Sequence, residues 1–147
     1  MRVAGLISTE QLAALDFAAL ANFWGSEIGR KICTQAPHVQ RELAFTARFG
    51  VVELQALIRA GTQFDASMTS NEFVVVQGVA DLVVLLAEEM WLVDFKTDVV
   101  TPAELAAKVQ HYEPQLKLYA LALTRIYGRP VTECHLHFLK PAKTVRV

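Results

Sequence analysis

The spacing of apolar residues changes several times along the chain, and each change marks an element. Leu12, Leu15, Ala19, Leu20, Phe23 and Trp24 recur at helical spacing behind Ser8-Thr9-Glu10-Gln11, where a hydroxyl followed three residues later by glutamine makes a capping box. Gly25-Ser26 breaks this helix, Ser26 caps a second short one through Ile28 and Ile32, and Pro37 closes the region. Phe23 and Trp24 lie on the apolar stripe and read as packing rather than as a platform for stacked bases. From Val39 to Phe49 the period drops to two. Arg41, Leu43, Phe45, Ala47 and Phe49 alternate with Gln40, Glu42, Ala44, Thr46 and Arg48, which predicts a half-buried strand. Val51 to Ala60 reads either as a short helix ended by Gly61 or as more strand, and Thr62 to Asn71 as a polar loop.

Two apolar runs follow, Glu72 to Leu86 and Met90 to Phe95, which pair as strands if the chain folds back near Ala87 and Glu88. Gly78 marks a bulge or a close approach. Thr101-Pro102 offers a helix cap and a first helical residue. Pro114 divides the helical stretch into Ala103 to His111 and Pro114 to Tyr127, the second ended by Gly128 and Pro130. Leu116, Tyr119, Ala120, Leu123 and Tyr127 form its apolar stripe. Val131 to Leu139 returns to period two, with Thr132, Cys134, Leu136 and Phe138 opposed to a mixed face carrying His135 and His137. Lys140, Lys143 and Arg146 read as a solvated basic terminus. Helices, three strands, a helix and a strand predict an α/β sandwich around a mixed sheet.

Length and composition narrow the class. A chain of 147 residues makes one domain, and 53% hydrophobic against 20% charged residues excludes a disordered chain. A net charge of -1 supplies no general attraction for nucleic acid, so any such contact needs a local device. Cys33 and Cys134 lack CxxC spacing and read as core thiols in a reducing compartment. No apolar run approaches the roughly 18 residues of a membrane span, and the first residues lack a leader's pattern, so the expectation is a cytoplasmic protein with no membrane partner.

Charge appears where buried strands ordinarily carry none. Asp81 interrupts the first apolar run, and Asp94 and Lys96 end the second, on one face of the strand, with Phe95 on the other. In a hairpin, Asp81 falls opposite or nearly opposite Asp94. Two carboxylates and an ammonium on an apolar sheet cost several kcal/mol, roughly, unless something compensates, and a divalent cation does so. The plain alternative, an ion-pair network joining two strands, is a poor stabiliser for three charges. Asp98 reads as a strand terminator, and His135 with His137 has no third ligand nearby. Glu42 reads as a solvated or salt-bridged strand residue.

The order Gly78-x-x-Asp81-Leu82, Leu92-Val93-Asp94-Phe95-Lys96-Thr97-Asp98 and Gln115-Leu116-Lys117-Leu118-Tyr119-Ala120 resembles the PD-(D/E)XK nuclease superfamily. More narrowly, it is similar to the RecB-like nuclease domain at the C-terminal end of UvrD-type helicases in double-strand-break repair. The resemblance implies a restriction-endonuclease-like core. It also implies metal binding by Asp81, Asp94 and the Phe95 carbonyl, a catalytic Lys96 that orients water or steadies transition-state charge, and Gln115 and Tyr119 as an accessory motif touching the nucleic-acid backbone or the carboxylates. Mg2+ or Mn2+ is the implied cofactor, and the implied partners are DNA and a helicase domain or subunit. The family's upstream metal-binding histidine has no match, and His38 is misplaced for that role. The expectation is therefore a fragment of a longer helicase-nuclease, helical over 1–38 and nuclease core over 39–147. Its function is either metal-dependent DNA hydrolysis or catalytically impaired binding of DNA or a helicase subunit.

Overall fold

The computed structural model describes residues 8, 10, 15–50 and 73–147. Within them α1 (Phe17–Gly25) and α2 (Glu27–Cys33) precede β1 (Val39–Gly50), β2 (Phe73–Leu85), β3 (Met90–Lys96), α3 (Leu105–Tyr127), β4 (Val131–Phe138) and β5 (Lys143–Arg146). The strands lie in the order β1-β2-β3-β4-β5, with β3 and β4 parallel and every other neighbour antiparallel. This is the α/β fold with a mixed sheet that the sequence predicts. The β2–β3 hairpin turns where expected, with the Leu86 N–H donating to the Glu89 carbonyl at 3.0 Å. The readings made for residues 51–71 lie outside the described residues, as does much of the Ser8 to Gln11 capping box.

The sheet carries a core on each face. Phe23, Ile28 and Ile32 of α1 and α2 pack on Leu82, Val84, Trp91 and Val93. On the other face, Leu116, Ala122 and Leu123 of α3 pack on Phe45, Val83, Leu92, Leu136 and Phe138. Phe23 is therefore core, as its place on the apolar stripe implies. Local chemistry sets the helix ends. Ser26 accepts from the Gly29 N–H at 3.1 Å, and Asp16 accepts from the Ala19 N–H at 3.0 Å, so a helix read as starting further upstream has a cap at Asp16. Gly128 closes α3 in the left-handed conformation at φ 67°.

Three expectations are corrected. Pro114 does not divide the helix, which runs unbroken from Leu105 to Tyr127. Proline there removes a donor to the Gln110 carbonyl at a cost of about 3 kcal/mol. However, Leu105, Val109 and Tyr112 before it and Leu116 and Leu123 after it rest on one sheet face, so a break would unseat one half. The basic terminus is not solvated tail but β5. Residues too few and too charged to show a strand period are held by pairing with β4, and the Arg146 guanidinium donates to the Thr132 carbonyl at 2.9 Å. Cys33 is exposed rather than core, whereas Cys134 is partly buried, its thiol pushed up to about 11 by that burial.

The alternation of β1 also departs from the simple reading. Val39 faces α1 and α2, whereas Leu43, Phe45, Ala47 and Phe49 face α3, although all have the same parity. The reversal falls at Glu42, which adopts φ 51°. Its place in the ladder, opposite Asp81, is the one missing between the pairs Arg41–Leu82 and Leu43–Ala80. A non-glycine residue in the left-handed region turns the strand over, at a cost of roughly 1–2 kcal/mol. The reversal repeats on β2: Val76 and Ala80 face α3, while Leu82 and Val84 face α1 and α2.

Replacing Pro114 with alanine restores the missing donor at an exposed position. The substitution is expected to stabilise the chain by about 1–3 kcal/mol in urea denaturation, with an unchanged denaturant slope.

Candidate active site

The reversal at Glu42 and Asp81 decides where the charged side chains meet. Asp81 shares parity with Val83, so it faces α3, as do Asp94 and Lys96, which share parity with Leu92. The ladder between β2 and β3 ends at the pair Leu82–Val93, and its register carried one step further sets Asp81 against Asp94. Beyond that pair the Asp81 side chain takes over from the backbone: its Oδ2 accepts from the Phe95 N–H at 2.8 Å. In an extended strand the N–H and C=O of one residue point to the same side, so the Phe95 carbonyl opens toward Asp81 as well. The Phe95 ring turns to the other face, edge-on to Phe23 at 4.7 Å.

Asp94 is the most constrained charge. It is 5% exposed, and its Oδ2 lies 2.7 Å from the Lys96 ammonium. That approach is an ion pair without hydrogen-bond alignment, since Asp94 Oδ2 is buried with no hydrogen-bond partner. Burial raises the Asp94 pKa above its usual 3.8, the Lys96 ammonium opposes this in part, and the neighbouring Asp81 charge adds to it.

Lys96 in turn points Nζ at Gln115 Oε1, 3.4 Å away, and lies 4.1 Å from the centre of the Tyr112 ring. The Gln115 amide donates to the Tyr119 hydroxyl at 3.2 Å, and the Tyr119 ring stands edge-on to Phe45 at 4.8 Å. Gly78 makes room for it: a Cβ there would sit 2.8 Å from Tyr119 Cζ and 2.8 Å from Phe45 Cζ. Close approach, one of the two readings of this glycine, is the one realised.

Asp81, Asp94, the Phe95 backbone, Lys96, Gln115 and Tyr119 thus converge between the ends of β2 and β3 and the middle of α3. Gln115 touches the lysine rather than either carboxylate. Asp98 does not simply terminate the strand, because its carboxylate takes Lys108 at 2.7 Å and the Tyr112 hydroxyl at 2.9 Å, tying the segment after β3 to α3. Both contacts hold its pKa below the usual carboxylate value. Tyr112 was missed by sequence reasoning. The available signal is its place three residues before Gln115, on the same side of a helix. His135 and His137 are spent structurally, on Glu133 at 3.2 Å and Thr144 at 2.8 Å. His38 is exposed in the turn before β1.

The donor set suits a hard divalent cation. Two carboxylates and a carbonyl offer only oxygen, and a buried anionic oxygen without an aligned donor is a position that a cation satisfies. Among the described residues no group of three or more His, Cys, Asp or Glu side chains gathers, so such an ion would draw on the backbone and on bound phosphate or water for its remaining ligands.

A mixed sheet with helices on both faces, carrying carboxylates and a lysine where its central strands part, is the architecture of a nuclease domain. The chain belongs to the PD-(D/E)XK nuclease superfamily, whose profile matches residues 6–146. It is similar to the first of the ATP-dependent helicase/nuclease subunits of several organisms. That of Moorella thermoacetica shares 33% identity over 134 residues, covering 91% of this chain and 9% of that protein. The Geobacillus kaustophilus protein is 36% identical over 141 residues, covering 90% and 10%, and that of Carboxydothermus hydrogenoformans is 32% identical over 143 residues, covering 97% and 11%. The chain spans about a tenth of the length of these curated relatives. Family and relatives support a nuclease-type role, and nucleases of this superfamily generally use divalent metals. Among the described residues no helix is long and apolar enough to cross a membrane.

Two outcomes follow from this geometry. Gly78→Ala should push the Tyr119 ring off its seat and destabilise the fold by about 1–3 kcal/mol in urea denaturation. For Asp94, a raised pKa means that the folded chain binds the proton more tightly than the unfolded chain. Its contribution is therefore greatest in acid and is lost as pH rises from about the usual 3.8 through the raised value. Asp94→Asn, which resembles the protonated form, should be more stable than wild type at neutral pH in chelator. Its stability should also vary less with pH across that window, as followed by thermal unfolding.

Proposed function

We propose that this chain is the nuclease module of a longer helicase-nuclease, helical over 1–38 with its core over 39–147, and hydrolyses DNA phosphodiester bonds with Mg2+ or Mn2+. The process it serves is helicase-coupled recombination and double-strand-break repair. The observation that carries the reading is the convergence of Asp81, Asp94 and Lys96 around a buried carboxylate oxygen with no aligned donor. Asp81, Asp94 and the Phe95 carbonyl would hold the cation. When bound, it would polarise the scissile phosphate and acidify a water.

The chain's own groups do the rest. Lys96 places a positive charge beside the reacting phosphate, where it orients water and offsets charge developing on the phosphoryl oxygens. Asp94 holds that ammonium in place, and Gln115 sets its approach from α3. Tyr119 locks the Gln115 amide and presents a hydroxyl on the site's rim. With net charge near zero, a helicase that feeds the strand into the cleft, as domain or subunit of the same machine, would supply the affinity that a basic groove otherwise provides.

The test is cleavage of linear single- and double-stranded DNA by the chain with Mg2+ or Mn2+. Asp94→Ala and Lys96→Ala should each lower the rate by roughly 10²-fold or more. Equal residual cleavage by all three proteins would sink the catalytic assignment. Metal binding without cleavage in calorimetry would favour a module that binds DNA or a helicase subunit instead.

A further inference from the structure

Lys96 has two carboxylates within reach along its own strand direction, Asp94 before it and Asp98 after it, yet it pairs with Asp94 alone. The reason lies on α3. Both Asp98 oxygens are occupied, Oδ1 by the Lys108 ammonium at 2.7 Å and Oδ2 by the Tyr112 hydroxyl at 2.9 Å. Asp98 is thereby turned to α3 and does not draw Lys96 away. The same hydrogen bond fixes the phenol, and Phe138 of β4 packs against its ring with the centroids 6.4 Å apart. A ring held by its hydroxyl and by its neighbour offers a face, and the Lys96 Nζ sits 4.1 Å from the centre of that ring.

We infer that Tyr112, locked by Asp98 and Lys108, is a positioning residue for Lys96. Its ring face keeps the ammonium at the reacting phosphate when a divalent cation claims the Asp94 carboxylate. The need arises from simple electrostatics. Among the described residues Asp94 is the one anion paired with Lys96, and a dication on that carboxylate weakens the attraction and adds repulsion. Gln115 Oε1, at 3.4 Å, is a weak neutral acceptor. An aromatic face attracts a cation through its quadrupole, and a partly desolvated site strengthens that attraction. It also carries no net charge, so it does not compete with the carboxylates for the metal. The inference rests on the nuclease reading for its purpose but not for its geometry.

Two readouts on the full chain separate the two. In the metal-free protein, the Lys96 ε-methylene protons, assigned by their loss in Lys96→Ala, should resonate upfield of the other lysines because they lie over the ring. Tyr112→Phe should keep that displacement and Tyr112→Leu should abolish it. With Mg2+ and linear DNA, Tyr112→Leu should lower kcat about tenfold with KM within about twofold, while Tyr112→Phe stays within about threefold of wild type. Asp98→Asn, which loosens the ring without removing it, should give an intermediate displacement and rate, and it serves should the leucine variant fail to fold. An unshifted Lys96 in wild type, or a leucine variant equal to wild type in both readouts, overturns the inference. So does a phenylalanine variant as impaired as leucine, or an Asp98→Asn variant equal to wild type in both. If wild type shows the displacement that Tyr112→Leu loses but cleaves no DNA, the positioning geometry stands and the nuclease reading is what fails.

Discussion

A carboxylate buried at the end of an apolar strand needs a partner, and Asp94 has one, the ammonium of Lys96 two residues on. The pair is poorly matched as a structural bond. The ammonium lies close to Oδ2 without aligning a hydrogen bond, and burial still favours the protonated acid. Ion pairs of this kind give little stability over apolar side chains of similar volume. What the arrangement supplies is a poised anion and a poised cation side by side, and the surrounding structure serves to keep them there.

That support comes from three directions. From β2, Asp81 takes the Phe95 N–H, so the backbone beyond Asp94 is fixed by a side chain where the ladder has ended. From α3, Gln115 and Tyr112 approach the ammonium, and Tyr119 holds Gln115 from a seat that Gly78 leaves open. From beneath, the Phe95 ring is packed against Phe23 of α1, which anchors the strand between Asp94 and Lys96 in the opposite core. The helical N-terminal segment thereby reaches the site through one aromatic contact although it lies on the far side of the sheet.

The continuity of α3 belongs to the same logic. A break at Pro114 would separate Tyr112 from Gln115 and Tyr119, three residues that must share one rigid helix to meet Lys96 from one side. The left-handed Glu42 has a comparable place. Its conformation is costly, and it coincides with the point where β1 and β2 both exchange faces, directly opposite Asp81. Without that exchange Asp81 would face α1 and α2, away from Asp94 and Lys96.

Much of this was legible in the residues. Period-two stretches located β1 to β4, a capping serine located α2, and charges inside apolar runs singled out Asp81, Asp94 and Lys96, because charge in a buried strand has few structural uses. Tertiary contact decided the rest. A proline that ends a helix in isolation is overruled by a sheet face beneath both halves. The four residues of β5 carry no readable period and become a strand only because β4 has an open edge. The facing of Asp81 depends on one φ angle at Glu42, which no pattern of side chains announces. Tyr112 and Asp98 reach the site through a hydrogen bond between segments whose approach is set by the crossover from β3 to α3. The order of elements and the identity of the reactive charges follow from local period and composition, which a single chain carries in its residues. The side of the sheet on which those charges meet, and what holds the lysine there, came into being only when the strands paired and the helix docked, because both depend on contacts between distant segments.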